Sequence, residues 1–183
     1  MTQTKHIHAQ DAQQKQPASR RLLFLCTGNF YRSRFAETLF NTLAAEAGLS
    51  WRAYSRGLAT ENVVSDWGPI SAHALRGLEA RGISVDEPIP PPRQVEERDL
   101  EEADLVIALK EAEHRPLLAE RFPQWLDRAE GDGKSGDWEI DRAPVEYWHI
   151  HDLDLSPAEE ALAEIERGIR DLIPRLAQDG CDP

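Results

Sequence analysis

Cysteine is scarce in this chain of 183 residues, which contains only Cys26 and Cys181. Two cysteines are too few for the disulfide framework of a small secreted protein. Long hydrophobic runs are also missing, and no apolar segment approaches the roughly 20 residues that a membrane-spanning helix needs. The N-terminal segment lacks the apolar middle of a signal peptide. We therefore expect a soluble, cytoplasmic protein that makes no contact with a membrane.

Positive charge is in the minority, with 21 Lys and Arg residues against 33 Asp and Glu residues and a net charge of −12. Nucleic acids bind through their phosphate backbone and require a basic surface, so the composition argues against a nucleic-acid partner. Any site for a smaller anion must be locally positive against this acidic background.

Large apolar side chains are nearly absent from the first twenty residues, which cannot bury enough surface to offset the entropy of ordering. We predict a disordered tail over residues 1–20, one domain over 21–176 and a short C-terminal tail over 177–183. Cys181 lies in that last tail, and we assign it no role. The length of the central segment suits a single domain with a hydrophobic core.

Short apolar runs alternate with helical patterns along the rest of the chain. The predicted strands are 22–26, 51–55, 105–109 and 147–150, with a turn at 56–57, and the main predicted helices begin near residues 34, 69, 113 and 156. In the last helix, Ser156 is the expected N-cap and Pro157 the first residue. Alternation of this kind predicts an α/β fold with a parallel sheet covered by helices on both faces. Ligands of such sheets bind beyond the carboxyl ends of the strands, and Cys26 lies at one of these ends.

The segment Cys26-Thr27-Gly28-Asn29-Phe30-Tyr31-Arg32-Ser33 joins the first predicted strand to the first predicted helix. Backbone N–H groups at a helix start are unpaired and carry partial positive charge, so a loop of this kind is an anion site. The same field favours the thiolate form of Cys26 over the thiol. The guanidinium of Arg32 offers a planar fork that matches two phosphate oxygens. This combination indicates covalent phosphoryl transfer.

The pattern Leu25-Cys26-Thr27-Gly28-Asn29-x-x-Arg32-Ser33 resembles the phosphate-binding loop of the low-molecular-weight protein tyrosine phosphatases, whose fold is shared by thioredoxin-linked arsenate reductases. Ser55-Arg56-Gly57, Arg93-Gln94-Val95 and Ala103-Asp104-Leu105-Val106-Ile107 also resemble segments of the same family. The resemblance covers about residues 21–176. It implies a four-stranded parallel sheet flanked by helices on both faces, the phosphotyrosine phosphatase I-like fold.

The resemblance also implies roles for individual residues. Cys26 would be the nucleophile, and Arg32 would bind the phosphate. The backbone N–H groups expected to bind the remaining phosphate oxygens belong to Thr27, Gly28, Asn29, Phe30, Tyr31 and Arg32. Asn29 tolerates a left-handed backbone conformation, Ser33 can donate a hydrogen bond to the thiolate, and Ser55 can bond Asn29.

The general acid of the family is an Asp in an Asp-Pro loop near the C-terminus. Asp152 matches that position best, and Asp154 is the alternative. The Pro is absent, and Leu153 stands where an aromatic residue is usual. On another interpretation, both Asp residues are charges that stabilise the start of the last helix through its dipole.

Three further positions depart from the family pattern. Tyr31 replaces a frequent second cysteine, Arg34 replaces a usual Pro, and Lys110 stands where a loop Asp is usual. With Tyr31 in the loop, a protective disulfide there is impossible. Phe30 and Tyr31 can either form part of the substrate pocket or pack against the core.

The resemblance predicts a phosphatase that hydrolyses phosphomonoesters, with protein phosphotyrosine as the expected substrate, through a cysteinyl-phosphate intermediate and without metal or organic cofactor. His149 and His151 beside Asp152 leave a metal site as a minor alternative. An arsenate reductase-like enzyme is disfavoured because only Cys181 could relay a disulfide. A phosphate-binding or phosphoprotein-binding module without turnover is the remaining alternative.

Overall fold

The computed structural model describes residues 19–62, 68–125, 145–152 and 157–178. Within these ranges the strands are β1 (Arg20–Cys26), β2 (Trp51–Gly57), β3 (Leu105–Ala108) and β4 (Val145–Tyr147). The α-helices are α1 (Arg32–Glu46), α2 (Ala72–Glu79), α3 (Glu97–Glu101), α4 (Glu111–Arg121) and α5 (Ala158–Gln178).

The four strands form one parallel sheet in the order β2-β1-β3-β4. The carboxyl ends of the two central strands lie next to each other, because Leu25 pairs with Ala108. Cys26 pairs with Gly57 at the corresponding end of β2. The predicted α/β fold with a four-stranded parallel sheet is confirmed.

Strand β1 forms the centre of the core, since its apolar residues are buried on both faces of the sheet. Leu22 and Phe24 pack with the cluster that includes the apolar sides of α1, α2 and α5. Leu23 and Leu25 point to the opposite face and join a cluster with residues of α3 and α4. This two-sided burial explains why the strand is continuously apolar rather than alternating.

Several element boundaries differ from the predicted ones. Strand β2 continues through the predicted turn to Gly57, because Gly57 donates to the carbonyl of Arg93 and accepts from the N–H of Val95. Strand β4 spans Val145–Tyr147 instead of the predicted 147–150. The residues after Tyr147 still bond β3 irregularly, with Trp148 N–H donating to Ala108 O at 2.9 Å.

The first and last described elements lie close to the predicted domain limits, since β1 begins at Arg20 and α5 continues to Gln178. The remainder of the two predicted tails lies outside the described residues, as do Asp154, the predicted N-cap Ser156 and Cys181. In the part of the chain that the structure describes, no helix is long and apolar enough to cross a membrane.

Candidate active site

The loop after β1 lies at the carboxyl end of the sheet, between Cys26 at the end of the strand and Arg32 at the start of α1. Cys26 is 3% exposed and Arg32 is 1% exposed, so the two reactive side chains are almost completely buried. Asn29 at the apex adopts a left-handed conformation with φ of 50°. Asn accepts that conformation at lower cost than most residues, and it reverses the chain tightly within the loop.

The side chain of Asn29 holds the loop in shape from within. Its Nδ2 donates to Ser55 Oγ at 2.8 Å and to Ser33 Oγ at 3.2 Å. Its Oδ1 accepts from the N–H of Arg93 at 2.9 Å. Because Asn29 and Ser33 are fully buried, each lost bond would leave a buried polar group without a partner. The network therefore fixes the loop before any substrate binds.

This network reaches the nucleophile. Ser33 Oγ lies 2.9 Å from Cys26 Sγ, a distance at which the hydroxyl can donate to a thiolate. At the other end, Ser55 donates to Glu37 Oε2 at 2.6 Å. Burial raises the pKa of Glu37, while the bond from Ser55 and the neighbouring arginines oppose that rise. The role of Glu37 was not predicted from the sequence, since its partner in β2 is 18 residues away along the chain.

Gly57 allows β2 to approach the loop closely. A Cβ atom at this position would lie 2.9 Å from both Asn29 N and Thr27 O. Contacts this short with backbone atoms would force the loop to move. The absence of a side chain at Gly57 therefore allows the loop to keep its conformation.

The guanidinium of Arg32 is held at its end by Glu113 from α4. Nη1 donates to Glu113 Oε2 at 3.0 Å, and Nη2 donates to Glu113 Oε1 at 2.8 Å. Nη1 also donates to Ile150 O at 3.2 Å. A bidentate carboxylate fixes the plane of the guanidinium as well as its position.

Glu113 also accepts a hydrogen bond from the hydroxyl of Thr27 in the loop. Burial disfavours its charged form, but His114 and Arg32 outweigh burial and hold the pKa of Glu113 well below its usual range. The buried imidazole of His114 accepts from Lys110 N–H at Nδ1, which places its proton on Nε2, 3.6 Å from Glu113. Glu113 was not predicted from the sequence. Its position in the first turn of the helix that follows β3 is ordinarily explained by the helix dipole, so it carries no functional signal by itself.

Asp152 from the segment after β4 meets the same guanidinium. Its Oδ2 lies 2.6 Å from Arg32 Nη2, and its side chain is 38% exposed. The structure thus brings together Cys26, Arg32 and Asp152, the three residues predicted to be catalytic. The alternative acid, Asp154, lies outside the described residues.

The family model of the low molecular weight phosphotyrosine protein phosphatases matches residues 21–181. The chain belongs to this family. Its relatives include a protein-arginine-phosphatase of Bacillus subtilis, 32% identical over 107 residues, which are 58% of this chain and 66% of the relative. The low molecular weight protein-tyrosine-phosphatase YfkJ of the same organism is 37% identical over 90 residues, 48% of this chain and 54% of the relative. These matches thus span less than two thirds of either relative.

The crystal structure of YfkJ superposes with a TM-score of 0.67 at 26% identity and covers 90% of this chain and 98% of that structure. The family membership and the fold implied by the resemblance are therefore both confirmed.

Two departures from the family pattern have structural partners. Tyr31, in place of the second loop cysteine, is 5% exposed and donates to Ala158 O at 3.0 Å. Burial and the nearby charge of Asp152 raise the pKa of Tyr31 to about 12, so its hydroxyl stays a donor at neutral pH. Of the two alternatives for Tyr31, packing against the core is the one observed. Phe30 is partly exposed at the loop.

Arg34, in place of the usual Pro, is a buried cation bound to carbonyl groups. Its Nε donates to Asn29 O at 3.1 Å, and Nη2 donates to Pro90 O at 2.8 Å and Pro91 O at 2.7 Å. The side chain therefore ties the loop to the extended segment before Arg93.

Lys110 stands where a loop Asp is usual in the family, and its Nζ lies 2.7 Å from His151 Nδ1 at the surface. The carboxylates on Arg32 come from Glu113 and Asp152. Across the described ranges, no group of three or more His, Cys, Asp or Glu side chains is arranged to hold a metal ion. His149 and His151 thus form no such cluster with Asp152.

Proposed function

We propose that the protein is a phosphatase that hydrolyses phosphorylated protein side chains, phosphotyrosine first among them, through a cysteinyl-phosphate intermediate. The observation that carries the proposal is the joint placement of Cys26 and Arg32. Both are buried at one loop, with Ser33 Oγ 2.9 Å from Cys26 Sγ and Arg32 oriented by Glu113. Such a preorganised site costs no rearrangement when charge develops on the phosphoryl group.

In the first step the Cys26 thiolate attacks phosphorus. The sulfur–phosphorus bond forms, the bond from phosphorus to the leaving oxygen breaks, and Asp152 gives its proton to that oxygen. The loop N–H groups and Arg32 hold the three non-bridging oxygens during transfer.

In the second step the Asp152 carboxylate takes a proton from water. The water oxygen attacks phosphorus, the sulfur–phosphorus bond breaks, and inorganic phosphate and the thiolate are released. Ser33 stabilises the thiolate as leaving group by donating a hydrogen bond to it. Neither step calls for a metal or organic cofactor.

The contact between Asp152 and Arg32 suggests how substrate prepares the acid. A phosphate dianion at the loop competes with Asp152 for Arg32 Nη2 and neutralises the guanidinium. Substrate would thereby release Asp152 from Arg32.

Phosphoarginine is the second candidate substrate, favoured by the relative named as a protein-arginine-phosphatase. Two carboxylates, Glu113 and Asp152, border Arg32 at the loop, and a site with this charge can accept a cationic leaving group. Cytoplasmic location and the absence of a nucleic-acid partner remain predictions from composition.

Comparison of the wild type with Cys26→Ser tests the function. We expect the variant to lose turnover of p-nitrophenyl phosphate completely while it still binds inorganic phosphate, because Arg32 and the loop N–H groups remain. Calorimetric titration with phosphate measures the binding. Undiminished turnover would exclude the cysteinyl-phosphate mechanism, and absence of turnover in the wild type would favour a binding module.

Two peptides of identical sequence, one carrying phosphotyrosine and one carrying phosphoarginine, separate the substrate candidates. The proposal expects the larger kcat/KM for phosphotyrosine, measured by phosphate release. A larger value for phosphoarginine would assign the enzyme to the second substrate class without changing the roles of Cys26 and Arg32.

A further inference from the structure

A cavity of about 470 Å³ runs along β2, at the edge of the sheet opposite to β4. Its lining includes Arg21, Arg34, Arg52, Arg56 and Arg93, and Glu37 is the one acidic residue among the described residues that line it. Cys26, Arg32 and Asp152 are not among the described residues that line it. The cavity is therefore separate from the reaction centre, and its volume is that of a small-molecule site.

The charge of this cavity is unusual in a chain with net charge −12. Two of the five arginines are neutralised from the rim, Arg21 by Glu102 and Arg56 by Asp99. Arg52 and Arg93, by contrast, form no ion pair and no guanidinium hydrogen bond with any residue that the structure describes. Positive charge is thus concentrated where most of the surface is acidic.

Arg34 forms the buried floor of the cavity. It is 8% exposed, and its guanidinium is bonded to three carbonyl oxygens rather than to a carboxylate. Burial lowers the pKa of Arg34, and the nearby charges of Arg93 and Arg56 lower it further, against the opposing charges of Glu37 and Cys26. An anion in the cavity would relieve this repulsion.

We propose that this cavity is a second anion site, which binds a small ligand carrying two or more phosphate groups. Arginine forks match phosphate oxygens bidentately, and three guanidinium groups against one carboxylate leave a charge excess that a polyphosphate would neutralise. The site also contacts the catalytic loop, since Asn29 of the loop and its hydrogen-bond partner Ser55 both line the cavity.

Arginines along β2 have an alternative structural use, because charged side chains on an edge strand prevent pairing with another chain. That role needs no ligand and no cavity. The two explanations differ in whether pyrophosphate binds here at millimolar concentration or below, and this can be measured directly.

The experiment is a titration of the full chain with pyrophosphate, followed by backbone amide chemical shifts. We expect two sets of shifts that saturate independently, one at residues 27–32 of the catalytic loop and one at Arg52, Arg56 and Arg93. The double variant Arg52→Ala/Arg93→Ala should lose the second set and weaken that site at least about tenfold. Shifts confined to the catalytic loop would overturn the proposal.

The matched control is Arg76→Ala/Arg167→Ala, which removes two exposed arginines from α2 and α5 and leaves the same net charge. It should keep both sets of shifts. Equal weakening in both double variants would overturn the proposal, because it would show attraction by total charge rather than a site. A parallel titration with ATP distinguishes two classes of ligand, nucleoside polyphosphates and inorganic polyphosphate. ATP should bind more tightly than pyrophosphate if the base adds contacts.

Discussion

The loop around Cys26 and the segment around Asp152 would serve one reaction, yet they are built in different ways. Asn29 and Ser33 are fully buried within the loop, and their side chains bond each other. Asp152 is 38% exposed and reaches the site from beyond the end of a three-residue strand. The loop is fixed by a buried network, whereas the acid is positioned through an ion pair at the surface.

The difference corresponds to the chemistry that each region would perform. Phosphate binding and nucleophilic attack require fixed geometry throughout the reaction, and a rigid buried network provides it. The acid must exchange its partner and its proton within one catalytic cycle, so a half-exposed carboxylate with a displaceable contact suits it. Substitutions in the two regions should therefore fail in different ways.

Arg32→Lys should have the largest effect of the variants that separate the regions. Lysine keeps the charge but loses the fork, so kcat/KM for p-nitrophenyl phosphate should fall by about two orders of magnitude or more. Steady-state kinetics measure the change, with Arg98→Lys on the exposed side of α3 as control. A loss smaller than about tenfold, or ~1.4 kcal/mol, would mean that Arg32 does not contact phosphate in the transition state.

Asp152→Asn should slow phosphotyrosine hydrolysis by about 10²–10⁴-fold, the usual contribution of a general acid. The loss should be much smaller for p-nitrophenyl phosphate, whose activated leaving group needs the proton less. The variant should also remove the high-pH limb of the kcat/KM profile, where the acid loses its proton.

Asp154→Asn is the matched control and should show neither effect. The opposite pattern in the two variants would assign the acid to Asp154. If neither variant depends on the leaving group, the segment carries no acid, and the comparison between the two regions fails.

Glu113→Gln tests the carboxylate that shares Arg32 with Asp152. Gln keeps the shape but loses the charge that holds Arg32, so kcat/KM should fall about tenfold, or ~1.4 kcal/mol. Glu111→Gln, on the exposed side of the same helix, should leave it unchanged. Equal effects of the two substitutions would show that Glu113 acts only through the net charge of α4.

The pH dependence of stability gives Glu113 a second readout. The pKa of Glu113 in the folded protein lies below the unfolded value of about 4.3. Its contribution to the free energy of unfolding is therefore complete above that pH and is lost as the pH falls below it. As the pH falls from 5 to 3, the free energy of unfolding of the wild type, measured by urea titration, should therefore decrease more steeply than that of Glu113→Gln. The same dependence on pH in both proteins would contradict the ion pair between Glu113 and Arg32.

Tyr31→Phe should have the smallest effect. It removes the bond to Ala158 O, which should lower the free energy of unfolding by about 1 kcal/mol in a urea titration. Tyr147→Phe is the control, because the buried Tyr147 hydroxyl has no hydrogen-bond partner among the residues that the structure describes, and its removal should cost nothing. A cost at Tyr147 that equals the one at Tyr31 would contradict the assigned bond.

The sequence predicted the loop far better than its surroundings, for a physical reason. Cys26, Asn29, Arg32 and Ser33 lie within eight residues, and local backbone geometry relates them to one another. Glu113 escaped prediction because its link to Arg32 spans 81 residues and depends on how α4 packs against the sheet. A glutamate in the first turn of a helix is ordinarily explained by the helix dipole, so its position alone carried no functional signal.

The same limit applies to the strands. The continuous apolar pattern of β1 and β3 located the buried centre of the sheet correctly. β4 is short and half-buried, so its side chains gave no clear period. The predicted strand began two residues and ended three residues after the observed one. Edge elements take their conformation from the partner strand more than from their own sequence.

The distance along the chain between Arg32 and its partners has a consequence for the order of assembly. The guanidinium is buried near the N-terminus, but Glu113, the carbonyl of Ile150 and Asp152 follow 81, 118 and 120 residues later. During synthesis, a nascent chain that ends before α4 has β1, the loop and α1 but none of these hydrogen-bond partners of Arg32. Contacts this far apart form late, after the loop-closure entropy has been overcome. The thiolate-stabilising loop should thus acquire its final form only when nearly the whole chain has left the ribosome, so that incomplete chains carry the cysteine without the arginine held beside it.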